Sequence, residues 1–95
     1  METHLYVIEC LDKRIKARYL GYTTNWENLL MYLSPEYDTD SNYKSKLYTF
    51  VREHGGWDNW VPRILKTFKS REDAQVAKLS LLEQYEFELN THYVR

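Results

Sequence analysis

Tyr19-Leu20-Gly21-Tyr22-Thr23-Thr24-Asn25-Trp26-Glu27-Asn28-Leu29-Leu30-Met31-Tyr32-Leu33 reads as the end of a strand, a tight turn and a helix. Thr24 is the expected N-cap. Its hydroxyl can accept from the amide three residues on, and Glu27 can reach back to it, which makes a capping box. Gly21 falls where the chain must turn and where a bulky side chain would obstruct a site. Over the predicted helix 25–33, Trp26, Leu29, Leu30 and Leu33 share one face at helical spacing. Met31 and Tyr32 carry the apolar surface further round, and Pro35 stops the helix.

Working outward, residues 4–10 (His-Leu-Tyr-Val-Ile-Glu-Cys) are strand formers. Alternation puts Tyr6, Ile8 and Cys10 on one side and Leu5, Val7 and Glu9 on the other. Residues 11–14 are a polar turn and 15–21 a second strand, so a short antiparallel hairpin is expected. Lys13, Arg14, Lys16 and Arg18 make this hairpin basic. A solvated outer face is the plainer reading of such a charge run, and a phosphate contact is the sharper one.

Downstream, Glu36, Asp38 and Asp40 lie in a polar loop, 34–42, without the glycine and spacing of a calcium loop. A solvated loop is expected there rather than a metal site. A second helix is predicted over 43–54, with Leu47, Phe50, Val51 and His54 as its stripe and Gly55-Gly56 as a left-handed cap. His54 reads as a cap or core residue, and Trp57 and Trp60 as packing anchors. Residues 61–69 read as a third strand, with Pro62 near its start or at a sheet edge. Ser70 caps a third helix, about 71–85, whose apolar face carries Ala74, Ala77, Lys78, Leu81, Leu82 and Tyr85. Lys78 is the anomaly on that face. Either its stem snorkels to the rim, or its ammonium enters a pocket where a carboxylate, phosphate or tyrosine oxygen answers it. The tail covers the core through Phe87, Leu89 and Tyr93.

The order strand, strand, helix, helix, strand, helix predicts an α+β fold: a small three-stranded, mostly antiparallel sheet flanked by about three helices. At 95 residues one domain, 1–95, is expected. The net charge of −1 gives no general grip on nucleic acid, which leaves only a local patch. Cys10 is the single cysteine, so no internal disulfide can form. Met1 is followed by Glu-Thr-His rather than a basic, then apolar leader, and no run is long enough to span a membrane. A soluble, intracellular protein is expected, with no membrane partner.

These residues resemble the GIY-YIG nuclease family across nearly the whole chain. Tyr6 falls at the tyrosine of Gly-Ile-Tyr, and Tyr19-Leu20-Gly21 matches Tyr-Ile-Gly. Leu47 to Trp60 is similar to the branch found in large DNA viruses of eukaryotes and in mobile elements. Ser70-Arg-Glu-Asp-Ala74 resembles the start of the family's last long helix, and Asn90 falls at its C-terminal asparagine. The resemblance implies a phosphodiesterase in which a helix glutamate holds one divalent metal such as Mg²⁺. It also implies that an arginine on the first helix steadies the phosphate and that a tyrosine or histidine helps activate water.

The same resemblance assigns the missing parts. The arginine's position is Leu29, the following histidine's is Leu33, the metal glutamate's is Lys78 and the first glycine's is His4. Lysine has no acceptor for a cation, and leucine cannot bind a phosphate. Losing one donor to the transition state commonly costs about 100–1000-fold. The leading expectation is therefore a catalytically inactive module without metal or cofactor, retaining Tyr6, Tyr19, Gly21 and Asn90 of the functional set. It would act as a binding, structural or accessory protein. A protein partner would meet Trp26, Leu29, Met31 and Tyr32, and a nucleic acid would meet Lys13, Arg14, Lys16, Arg18 and Lys78. A viral setting, in an infected cell or a virion, follows from the branch resembled. The rival is an active metal-dependent endonuclease with relocated chemistry, using Tyr6, Tyr19 and a carboxylate such as Glu27 or Glu83. Self-association through the first helix is the third reading.

Overall fold

The fold is taken from a computed structural model and is described for residues 2–33 and 46–93, without the side chains of Lys46 and 91–93. The acidic loop with Glu36, Asp38 and Asp40, the expected start of the second helix at 43–45 and the side chain of Tyr93 lie outside the described residues.

Strand β1 (Thr3–Cys10) is the centre of a three-stranded sheet. It is flanked by β2 (Arg18–Thr23) and β3 (Trp60–Phe68), both antiparallel to it, in the order β2-β1-β3. A central strand buries both sides, and the alternation of β1 divides the core accordingly. Tyr6, Ile8 and Cys10 join Leu47, Tyr48, Val51, Trp57 and Trp60 on one side, while Leu5 and Val7 join Leu20 and Phe87 on the other. Helices α1 (Trp26–Tyr32) and α2 (Lys46–Glu53) cover the first side, and α3 (Arg71–Gln84) covers the second. The observed order and the antiparallel α+β architecture are those expected. None of the described helices is long and apolar enough to cross a membrane.

Several boundaries differ from the expectation, each for a local reason. The second strand begins at Arg18 rather than 15 and runs on to Thr23. Asp12 delays it: its carboxylate accepts the Arg14 amide at 3.0 Å and its carbonyl accepts the Ile15 amide at 3.0 Å, which holds the chain in a turn. Gly21 is consequently inside β2, paired with Tyr6, and not at a turn. The N-cap of α1 is Asn25, not Thr24. Asn25 Oδ1 accepts the Asn28 amide at 3.0 Å, and Thr23 Oγ1 accepts the Asn25 amide at 3.1 Å. The expected capping box with Glu27 is replaced by this Thr-Asn relay. Trp26, Leu29 and Leu33 pack on the core, but Leu30, turned about 100° from Leu29, is 43% exposed.

Helix α2 ends as its glycines require. Gly55 and Gly56 have φ of +101° and +75°, and the Gly56 amide returns to the Val51 carbonyl at 2.8 Å. His54 is a cap. Its ring stacks on Phe50 with centroids 3.9 Å apart, Nδ1 donates to the Phe50 carbonyl, and its own carbonyl accepts the Trp60 indole. Trp57 and Trp60 are buried anchors. β3 starts one residue earlier than expected, at Trp60, and lies at the sheet edge, where Pro62 leaves no central ladder bond unmade. Ser70 caps α3 by accepting the Asp73 amide at 3.2 Å. Tyr85 does not extend the α3 face. It is the C-cap, in extended backbone and 56% exposed, so helical spacing no longer governs where it points. After it, Phe87 and Leu89 are buried on opposite sides of the sheet.

Candidate functional site

On the α1 side, Tyr6, Tyr19, Gly21, Trp26 and Leu29 come together. Tyr6 and Tyr19 ring centroids are 6.4 Å apart, and the Tyr6 ring meets Trp26 edge-on at 6.0 Å. Gly21 is the reason the Tyr6 ring fits. A β-carbon there would stand 2.6 Å from Tyr6 Oη, 2.7 Å from Cζ and 3.1 Å from Tyr19 Cε2. Leu29 and Leu33 pack against this aromatic floor, on the core side of α1. His4 borders it, with Nδ1 2.8 Å from Thr67 Oγ1 and its ring edge-on to Trp26 at 6.4 Å. The corner is apolar and aromatic, with phenols but no carboxylate among its described members.

Lys78 lies elsewhere. Its ammonium stands 5.4 Å from the centroid of the Tyr22 ring. Tyr22 packs with Leu5, Val7 and Leu20 on the α3 side, one position out of phase with Tyr19 and Gly21. Lysine 78 is therefore across the sheet from Tyr6 and Tyr19. Partial burial pushes its ammonium below the ordinary lysine range. Beside it, Tyr22, Thr23, Thr24 and Arg71 line a shallow groove of about 260 Å³, which shares Thr24 and Arg71 with another that Lys69, Ser70 and Glu72 also line. On the same sheet face Lys66, paired with Leu5, reaches over Phe68 at 5.3 Å. The sequence reading missed this gathering of Lys66, Lys69, Arg71 and Lys78, because these residues belong to three separate local patterns.

The hairpin cations do not form one open basic face. Arg14 is forked onto Asp12, whose carboxyl it holds down at about 2. Arg18 donates to the Glu86 carbonyl and stacks over Phe87 at 4.5 Å. Lys13 and Lys16 line a groove of about 430 Å³ that also carries Glu9, Glu86 and Glu88. On α1, Met31 is 50% and Tyr32 47% exposed, next to the exposed Leu30.

Asn90 has a structural task. Its amide accepts the Leu20 N–H at 2.8 Å and donates to the Leu20 carbonyl at 2.9 Å, which satisfies both groups that β2 turns away from β1. Glu27 and Glu83, the carboxylates considered for relocated chemistry, are exposed on different helices. Among the described residues no three His, Cys, Asp or Glu side chains are grouped to hold a metal. Leu29 and Lys78 lie on opposite sides of the sheet and so form no single donor set, and neither side chain offers an acceptor to a divalent cation. Comparison of the chain with known protein families, with curated proteins and with solved structures finds no match.

Proposed function

We propose that the chain is a non-catalytic module of GIY-YIG type that binds another protein through the outer surface of α1. One observation carries the reading. Where the resemblance expects a phosphate-steadying arginine, Leu29 is packed into the apolar cluster, and the solvent side of the same short helix presents Leu30, Met31 and Tyr32. An exposed apolar helix surface suits the centre of a protein contact. The resemblance to the viral branch supports an accessory or structural role in an infected cell or a virion.

A second reading has its own observation. On the α3 side Lys66 reaches over Phe68, Lys78 over Tyr22, and Arg71 and Lys69 line the adjoining grooves with Glu72, an arrangement that suits nucleic-acid phosphates and bases.

Plasmid nicking and partner binding test the proposal together. Supercoiled DNA with Mg²⁺ or Mn²⁺ is expected to stay intact, and Leu30→Glu, at a position 43% exposed, is expected to abolish partner binding without lowering Tm. Nicking that disappears in Tyr19→Phe would instead establish the endonuclease. Salt-sensitive DNA or RNA binding lost in a Lys69→Glu/Arg71→Glu variant, with Leu30→Glu silent, would move the site to the α3 side.

A further inference from the structure

The groove of about 430 Å³ at the turn end of the β1–β2 hairpin has walls of opposite charge, supplied by stretches far apart in sequence. Lys13, Lys16 and Arg18 come from the hairpin, and Glu86 and Glu88 from the segment after α3. Arg14 takes no part in the lining, because it is forked onto Asp12. The walls meet at one point, where Arg18 donates to the Glu86 carbonyl at 3.4 Å and stacks over Phe87 at 4.5 Å.

Elsewhere the walls do not bridge. Among the described residues Lys13, Lys16, Glu86 and Glu88 enter no ion pair and no side-chain hydrogen bond, and all four are exposed. Glu9, the third carboxylate of the lining, is already engaged by Arg63 at 2.9 Å. Cys10, Ile15 and Tyr85 supply the apolar part of the lining. Two ammonium groups and two carboxylates thus share one concavity without meeting. A ligand of a single sign is attracted by one wall and repelled by the other, whereas one that carries both charges is attracted by both. The volume falls in the range of small-molecule sites, about 300–1,000 Å³.

We propose that this groove binds a small zwitterion, an amino acid or dipeptide. Its carboxylate lies toward Lys13 and Lys16, its ammonium toward Glu86 and Glu88, and its apolar side chain covers Ile15 and Tyr85. The groove shares no lining residue with the exposed α1 surface or with the α3-side grooves, so the site is independent of the protein contact proposed for α1. Exposed ion pairs are individually weak, so a millimolar dissociation constant is expected.

Titration of the ¹⁵N-labelled full chain with L-leucine and with glycyl-L-leucine, at constant ionic strength, reads binding from amide shifts. Saturable shifts centred on 13–18 and 85–88 are expected, and the probe that saturates at the lower concentration tells amino acid from dipeptide. The N-acetylated form of that probe lacks the ammonium, and its amide lacks the carboxylate. Each should bind about three- to fivefold more weakly. Lys13→Glu/Lys16→Glu should weaken binding to a similar degree. Adding Glu86→Lys/Glu88→Lys should restore it, because exchanged walls hold the same zwitterion in the reverse orientation. The absence of saturable shifts with either probe at about 50 mM overturns the proposal. Equal affinity for the probe and both one-charge forms does so as well, since the groove then reads only the apolar side chain. Failure of the fourfold variant to regain binding, with a native amide spectrum, overturns the two-wall arrangement. If that variant does not fold, the one-charge forms decide alone.

Discussion

Replacing Gly21 by alanine tests the aromatic corner at its tightest contact. The new methyl group would stand 2.6 Å from Tyr6 Oη and 2.7 Å from Cζ, against an ordinary limit of about 3.4 Å, so the ring must move by about 0.8 Å. It has little room to do so. Tyr6 is 6% exposed, with Trp26 edge-on at 6.0 Å and Tyr19 at 6.4 Å. Overpacking of this kind costs about 1–3 kcal/mol. Alanine returns about 0.4–1 kcal/mol by stiffening the unfolded chain. A net loss of about 1.5 kcal/mol is expected, which lowers Tm by about 6–12 °C for a domain of this size. Urea unfolding of wild type, Gly21→Ala, Tyr6→Leu and the double variant measures the coupling directly. The two substitutions should couple by about 1 kcal/mol or more, because the shorter side chain makes room for the methyl group. If Gly21→Ala falls within about 0.5 kcal/mol of wild type, or the pair is additive, the close approach does not constrain the fold and the reasoning fails.

Asn90→Ala leaves the N–H and C=O of fully buried Leu20 without partners and should cost about 2–4 kcal/mol in urea unfolding, with faster hydrogen exchange at the Leu20 amide. Lys78 holds its proton less readily folded than unfolded, so stability should rise with pH between its depressed folded value and the ordinary 10.5. Lys78→Met should flatten that rise in urea midpoints taken across the window, and an unchanged slope would contradict the burial of the ammonium. The Asp12 carboxyl should titrate at about 2 by ¹³C NMR and return toward 3.8 in Arg14→Ala. Its small contribution is present above the ordinary carboxylate range and fades as pH falls toward 2. A wild-type midpoint near 3.8 would show that the Arg14 fork does not persist in solution.

Much of the candidate site was legible one residue at a time. The family resemblance marks Tyr6, Tyr19 and Gly21, helical spacing marks Trp26, and the sheet register brings them into one corner. Lys78 was legible as an anomaly, but neither of the two readings kept open named its neighbour. Tyr22 is 56 residues away in sequence, and its side is fixed only by pairing with Leu5. The basic hairpin was overread, because the sequence does not reveal that Arg14 folds back on Asp12 or that Arg18 lies on Phe87. The α1 cap was misplaced by one residue, since Thr24 and Asn25 are both good caps and the tie to Thr23 decides between them.

The sequence by itself determined the element order, the two alternating faces of β1, the C-terminal end of α2 and the N-terminal cap of α3. Those follow from period-two alternation, from glycines that must adopt positive φ, and from a serine placed to cap. Only the tertiary structure decided which side of the sheet each functional candidate faces, why Gly21 is glycine, and what Phe87, Leu89 and Asn90 do at the β2 edge. The physical reason is common to all three. Local patterns fix which way a side chain leaves its own backbone, but its neighbours come from strands and helices far away in sequence, and their register is set only when the whole core packs.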